Sequence, residues 1–307
     1  MQYTFDVFCT TIIPTVGRDS LARAVTSVLT QTFTAAHEVI VVNDSERPLP
    51  AAPWQTDTRV HIIETQQREK CVARNTGAAL AHGTYLHFLD DDDWLLPDAL
   101  TALYQTAQQN HDAAWIYGTA RFEDPQGKLV GTINLKRNGN CFTQVVAGQW
   151  IPLQASLIRA DTFFAVGGFH PTMFVTEDLD LARRIGLVAT FAGTETEVAC
   201  ILRGQDWGST SNYEAGPEWV RWGRDRILAE PGAFARLLAS ADDGFWHGRI
   251  FHAYLTTALY NIRQRRFGTA FTRGTLAAAA LLRAGKYAFT AAYWRALRTH
   301  HVGRDFH

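Results

Sequence analysis

The sequence predicts an α/β fold: a mixed sheet flanked by helices, followed by a helical C-terminal extension. Three observations predict it. Over the first hundred residues short β-rich runs alternate with segments of helical period, the pattern of strands joined by crossover helices. The turn sequence EDPQGK, Glu123 to Lys128, then separates two strand-like runs, so hairpins enter the sheet. After Asn212 the chain is rich in Ala, Leu and aromatics and reads as helix almost throughout.

Each element follows from a local signal. Phe5 to Ile13 is the first strand. Asp19 or Ser20 caps a helix whose Leu21, Val25, Val28 and Leu29 share one face. EVIVVND, Glu38 to Asp44, is a continuous apolar run suited to a buried parallel strand, with Asp44 at its carboxyl end. Val60 to Glu64 is a strand, and Val72 to Ala81 a helix closed by Gly83 near its C-cap. Tyr85 to Leu89 is a strand running into Asp90-Asp91-Asp92-Asp93, after which Pro97 opens a helix at its favoured first position. AWIYG from Ala114 is a strand, Thr176 caps a helix through Ile185, and Glu197 to Arg203 is a late strand. The expected division is a sheet domain over 1–212, its pattern changing at about residue 115 between halves at 1–115 and 116–212, and a basic helical region at 213–307.

The composition suits a globular protein, since 307 residues with 47% hydrophobic and 19% charged can bury one large core or two modest ones and are not those of a disordered chain. The net charge of −1 hides an asymmetry: nineteen basic and twenty-nine acidic residues precede Arg249, whereas ten basic and one acidic follow from it. A tail of that sign suits an anionic neighbour such as a phospholipid surface, a lipid diphosphate or nucleic acid, or else it is a solvated basic face. Within it Tyr287, Phe289, Tyr293 and Trp294 are the expected lipid-facing residues of an interfacial helix. Cys9, Cys71, Cys141 and Cys200 form no CxxC pair, so they read as small core residues in a reducing compartment. The N-terminus lacks a basic start followed by an apolar run, and Leu276 to Leu282 is too short to span a bilayer. The expected location is cytoplasmic, peripheral on the inner face of the membrane.

The chemistry concentrates at strand ends, where open α/β sheets bind ligands. Four adjacent aspartates repel one another and need a cation or hydrogen-bond donors to compensate. With no His or Cys cluster beside them, a hard ion such as Mg²⁺ or Mn²⁺ is indicated; the alternative is an acidic loop capping the next helix. Asp44 either accepts N–H bonds from a nucleobase or begins a turn with Ser45. Glu177, Asp178 and Asp180 either complement the helix dipole or supply a carboxylate that deprotonates a hydroxyl. One such base suffices where a nucleoside diphosphate leaves as an anion.

Taken together, IIPTVGR at Ile12 to Arg18, SVLTQTF at Ser27 to Phe33, EVIVVND, ARNTGAALAHGTYLHFLDDDDW at Ala73 to Trp94, GGF at Gly167 to Phe169 and TEDLDL at Thr176 to Leu181 resemble the family 2 glycosyltransferases. The resemblance covers roughly residues 5 to 212 and implies a GT-A (Rossmann-like) fold and an inverting, metal-dependent sugar transfer from a nucleotide diphosphate, commonly UDP. It implies that Pro14, Thr15, Arg18, Asp44, Arg74, Asp90 and Asp91 surround the nucleotide sugar, with Asp91 able to hold the ribose. Asp90 and Asp92 match the family's DxD acids, Asp92 being the direct metal ligand, and Asp178 matches the base, with Glu177 beside it. The implied partners are a saccharide or lipid-linked acceptor and an anionic membrane surface, with no nucleic acid. Two departures stand out. Many relatives place a His after the last core strand, whereas Gly204 to Ser211 offers Asp206, Trp207 and hydroxyls, Trp207 being a candidate helper on the acceptor side. The QxxRW motif of processive synthases is absent, which points to single additions.

The competing readings are a sugar nucleotidyltransferase, which wants a Gly-rich loop where Ile12 to Arg18 has only Gly17, and a non-catalytic sugar-binding scaffold. A dinucleotide dehydrogenase is disfavoured because no GxGxxG follows the first strand.

Overall fold

The computed structural model describes residues 7–135, 137–173, 176–203, 216–239, 244–263 and 265–297. In chain order the elements are β1 (Cys9–Thr15), α1 (Leu21–Leu29), β2 (His37–Asn43), β3 (Val60–Glu64), α2 (Lys70–Ala79), β4 (Tyr85–Phe88), β5 (Trp94–Leu95), α3 (Ala99–Gln109), β6 (Ala113–Glu123) and β7 (Leu129–Ile133). They continue with α4 (Phe142–Ala147), β8 (Ser156–Arg159), α5 (Ala160–Ala165), α6 (Glu177–Val188), β9 (Thr190–Leu202), α7 (Gly216–Ala229), α8 (Ala233–Ala239), α9 (Gly244–Arg263), α10 (Phe267–Ala284) and α11 (Ala291–Ala296).

One mixed sheet runs β3-β2-β1-β4-β8-β6-β9-β5, with β7 paired to β6. Its first four strands are parallel, as crossover helices require; β8 then pairs antiparallel with both β4 and β6. The sheet therefore runs without a break across residue 115. β2 buries all seven of its side chains, which is why its sequence is continuously apolar rather than alternating. One face is covered by α1 and α3 through Leu21, Val25, Val28, Leu100 and Leu103. The other is covered by α2, α4 and α6, and the same apolar cluster takes in Ile227, Trp246, Ile250 and Tyr254 from α7 and α9. The C-terminal helices thus share a core with the sheet.

The short helix α4 is tied down by two buried arginines. Arg183 Nε of α6 donates to the Val145 carbonyl at 3.1 Å, and Arg224 Nε of α7 to the Val146 carbonyl at 2.9 Å, so cations satisfy its last-turn acceptors. Burial, with Arg224 nearby, pushes the Arg183 guanidinium down to about 9. Beyond α4, Gly148 takes a left-handed φ of 103° and turns the chain toward Trp150.

Several local expectations are corrected. β1 ends two residues later than expected, at Thr15, and the expected start, Phe5, lies outside the described residues. Ser20 and Thr176 stand at the N-termini of α1 and α6 but make no side-chain cap, and Thr176 adopts φ 66°. Instead Leu179 N–H donates to Asp178 Oδ1 and Asp180 N–H to the Thr176 carbonyl. α2 begins at Lys70 because Glu69 caps it, accepting from Cys71 and Val72 N–H. Gly83 lies beyond the helix end. Its constraint is proximity to β1, since a Cβ there would come within 2.4 Å of Thr10 N. Pro97 precedes α3 by two residues and offers its carbonyl to Thr32 N–H. β6 and β9 are much longer than their signals, eleven and thirteen residues, because they pair with each other along most of their length. The expected hairpin is present, its turn closed by Asp124 accepting from Gln126 and Lys128 N–H.

All four cysteines are buried and unpaired. No helix among the described residues is long and apolar enough to cross a membrane. Of the four aromatics expected at a lipid surface, Tyr293 is fully buried and Tyr287 stacks on His247 at 4.8 Å, leaving Phe289 and Trp294 exposed.

Candidate active site

The carboxyl ends of β1, β2 and β4 open onto a cleft of about 440 Å³. Pro14, Thr15, Arg18, Asp44, Asp90, Asp91 and Asp92 all line it, so seven residues drawn from separate stretches of the sequence meet in one place. Lys70, Glu69 and Arg68, which sequence reasoning passed over, line it too.

The acidic run divides its labour by backbone direction. Asp91 points back under β1, where its Oδ2 accepts the Thr15 hydroxyl at 2.6 Å and its Oδ1 accepts Arg18 Nη1 at 2.5 Å. At 3% exposure, it holds the β1 loop at the wall of the cleft. Asp93 is equally buried and accepts Leu202 N–H at 2.8 Å, pinning the end of β9. Asp92 remains partly open to solvent, 3.3 Å from Arg18 Nη1. Carboxylate oxygens of Asp90, Asp92 and Asp93 lie within 4.8 Å of one another. Burial and the neighbouring charges of Asp90 and Asp91 raise the Asp92 carboxyl above its ordinary range; burial, Asp90 and Asp92 raise Asp93 well above it. Burial opposes ionisation of Asp90 as well, yet Arg74 outweighs it and holds that carboxyl low.

Asp44, at the cleft wall, also organises the chain around it. Its carboxylate accepts the Thr65 hydroxyl at 2.8 Å and the N–H groups of Gln67 and Glu69 at 2.9 and 2.7 Å, fixing the loop that leads into α2. Arg74 lies beneath the cleft, 3% exposed. Its Nη2 donates to Asp90 Oδ1 at 2.5 Å and its Nη1 to Glu177 Oε1 at 2.9 Å. Lys70 Nζ reaches the same Glu177 oxygen at 2.6 Å. The arginine therefore joins the acidic run to the start of α6.

Asp178 accepts the Trp150 indole N–H through Oδ2. Burial and Glu177 raise its carboxyl, while Trp150 and Lys70 pull the other way. Arg203, at the end of β9, lies over the Phe122 ring at 4.7 Å and the Trp150 ring at 5.7 Å. Burial lowers its guanidinium, while the charges of Asp93, Asp90, Asp92 and Asp178 act the other way. Gln154 Nε2 donates to Asp90 Oδ2 at 2.9 Å, and its carbonyl meets His87 Nε2 at 3.0 Å. Trp150, Gln154 and Arg203 were missed because no local pattern marks them. A cation directly after a strand was the one signal available, for Arg203. Trp207 and Asp206 lie outside the described residues.

The fold is the GT-A type. It is similar to the structure of Staphylococcus aureus TarS residues 1–349 in complex with UDP-GlcNAc, with a TM-score of 0.64 and 14% identity over 87% of this chain and 90% of that one. The chain belongs to glycosyl transferase family 2, whose model matches residues 10–175, more than half of its length. Among curated relatives, an uncharacterized glycosyltransferase of Haemophilus influenzae is 26% identical over 57% of this chain and 60% of its own. The poly(ribitol-phosphate) β-N-acetylglucosaminyltransferase TarP of S. aureus is 30% identical over 33% of each chain. The chain matches 60% of the Haemophilus protein and 14% of the Streptococcus pneumoniae glycosyltransferase GlyA, so it spans less than two thirds of these relatives.

Proposed function

We propose that this protein is an inverting glycosyltransferase that moves a sugar from a nucleoside diphosphate donor to a hydroxyl of a saccharide or lipid-linked saccharide. The observation that carries the reading is the arginine link. Arg74 ties the acidic run after β4, which lines the cleft, to Glu177, the chain neighbour of Asp178, so that a cation-seeking cluster and a candidate base are joined through one side chain. UDP is the favoured nucleotide; the similar TarS 1–349 was crystallised in complex with UDP-GlcNAc and with UDP. Residues 1–115 are assigned to the donor, 116–212 to the acceptor, and the basic helical region to contact with an anionic surface on the cytoplasmic side.

The donor set fits a hard divalent ion such as Mn²⁺ or Mg²⁺, because oxygens of Asp90, Asp92 and Asp93 converge and the last two carboxyls are raised by burial and by neighbouring aspartates. Asp92, the most open, would be the direct ligand, supported by Asp90. When bound, such an ion neutralises the diphosphate and stabilises its departure. Asp178 then takes the proton from the acceptor hydroxyl. The acceptor oxygen forms its bond to the anomeric carbon as the bond to the diphosphate breaks on the opposite face, and the nucleoside diphosphate leaves as an anion. Arg203, whose charge is felt by the cluster and by Asp178, adds positive charge where negative charge develops. Donor hydrolysis and transfer measured with Mn²⁺ across a panel of nucleotide sugars test the proposal. Turnover with an inverted anomeric proton by NMR is expected, and a retained configuration would overturn the single displacement.

A further inference from the structure

Helix α10 breaks the usual rule for surface helices. Phe267, Phe271, Gly274, Ala278 and Leu282, spaced by four, three, four and four residues, form one outward stripe along its whole length of about 27 Å. Phe271 and Leu282 are 75% and 82% exposed. Between Phe267 and Leu282 every other exposed residue is Gly or Thr, and the one charged residue, Arg273, is buried and donates to Asp225. A solvated helix face normally carries charge.

The charges stand at the two ends. Arg263, Arg265 and Arg266 are exposed at the start of α10, and Arg283 and Lys286 at its close. From residue 244 to 297 the chain contains no Asp or Glu. An uncharged apolar stripe bracketed by cations matches a bilayer interface, with acyl chains under the stripe and lipid phosphates at both ends. It does not match the pattern of a helix seated in another protein's polar rim, which would mix signs.

We propose that the outward face of α10 docks this protein on an anionic lipid bilayer, the helix lying in the plane of the interface. This is independent of the donor-site reading. It relocates the contact from α11, where Tyr293 is buried, to a face that nothing covers among the described residues.

The test is sedimentation of the full chain with vesicles of phosphatidylcholine alone or mixed with phosphatidylglycerol, at low and high salt. The wild-type chain is expected to sediment with the anionic vesicles, less so as salt rises. Phe271→Ser with Leu282→Ser should lower partitioning at least about tenfold, and Arg265→Gln with Arg266→Gln should remove most of the salt-sensitive part. Both pairs are exposed, so circular dichroism should stay unchanged. Undiminished sedimentation of the Phe271/Leu282 pair overturns the proposal. So does light scattering that shows a lipid-free dimer which this pair converts to monomer, since the face would then belong to a second copy.

Discussion

Arg74 Nη1 lies 2.9 Å from Glu177 Oε1, a buried ion pair between residues 103 positions apart that closes the floor of the cleft. Burial works against the arginine's charge, but Asp90 and Glu177 more than restore it, so its pKa is raised. Arg74→Met leaves Glu177 with Lys70 alone and Asp90 with Gln154. Breaking such a buried pair should cost about 3–5 kcal/mol, read as a lower midpoint in urea at unchanged slope. An unaltered midpoint would mean that Lys70 alone suffices.

Asp178→Asn should lose about 10²- to 10⁴-fold in turnover while nucleotide affinity stays near normal, because the base acts on the acceptor. Glu177→Gln is the companion variant. If it abolishes turnover while Asp178→Asn is active and equally stable, the base is Glu177.

The Asp178 carboxyl is raised by burial and Glu177, so the acidic limb of kcat/KM should fall at a higher pH than an ordinary carboxylate gives. Trp150 lowers it by donating a hydrogen bond. Trp150→Phe keeps the ring but removes that donor, and the limb should move further toward neutral pH. A pH–rate profile that does not move would show that Trp150 only fills space.

Asp92→Asn removes the most open carboxylate of the cluster and relieves the repulsion on Asp93. Nucleotide binding in the presence of Mn²⁺, followed by titration calorimetry, should weaken sharply while thermal stability without metal holds or rises. Wild-type affinity in this variant would remove Asp92 from the metal assignment.

His87 is fully buried, its Nε2 meeting the Gln154 carbonyl at 3.0 Å and its Nδ1 the Thr11 hydroxyl at 3.1 Å. Burial lowers it to about 4 from an ordinary 6.5. The unfolded chain therefore takes up a proton near pH 6.5 that the folded chain refuses until about pH 4. Stability from this group is complete above pH 6.5 and is lost as pH falls toward 4, by up to about 3 kcal/mol. His87→Gln should flatten that part of the denaturation profile. A wild-type slope in the variant would place the dependence elsewhere.

The sequence by itself determined the parallel front of the sheet, because continuous apolar runs such as EVIVVND suit only a strand buried on both faces. It also determined that Thr15, Asp44 and the acidic run would gather at one edge, since parallel strands joined by crossover helices put all their carboxyl ends on the same side. Motif order carried the family. What the tertiary structure decided is the use of each acid. Asp90 to Asp93 are identical in sequence, but successive residues point to different neighbours, so one holds Thr15, one holds Leu202, one meets Arg74 and one stays the most open, beside Arg18. Trp150, Gln154 and Arg203 were illegible for the same reason. Their roles come from long-range pairing of β8 and β9 with the strands around them, and no local period encodes which distant side chain a residue will meet.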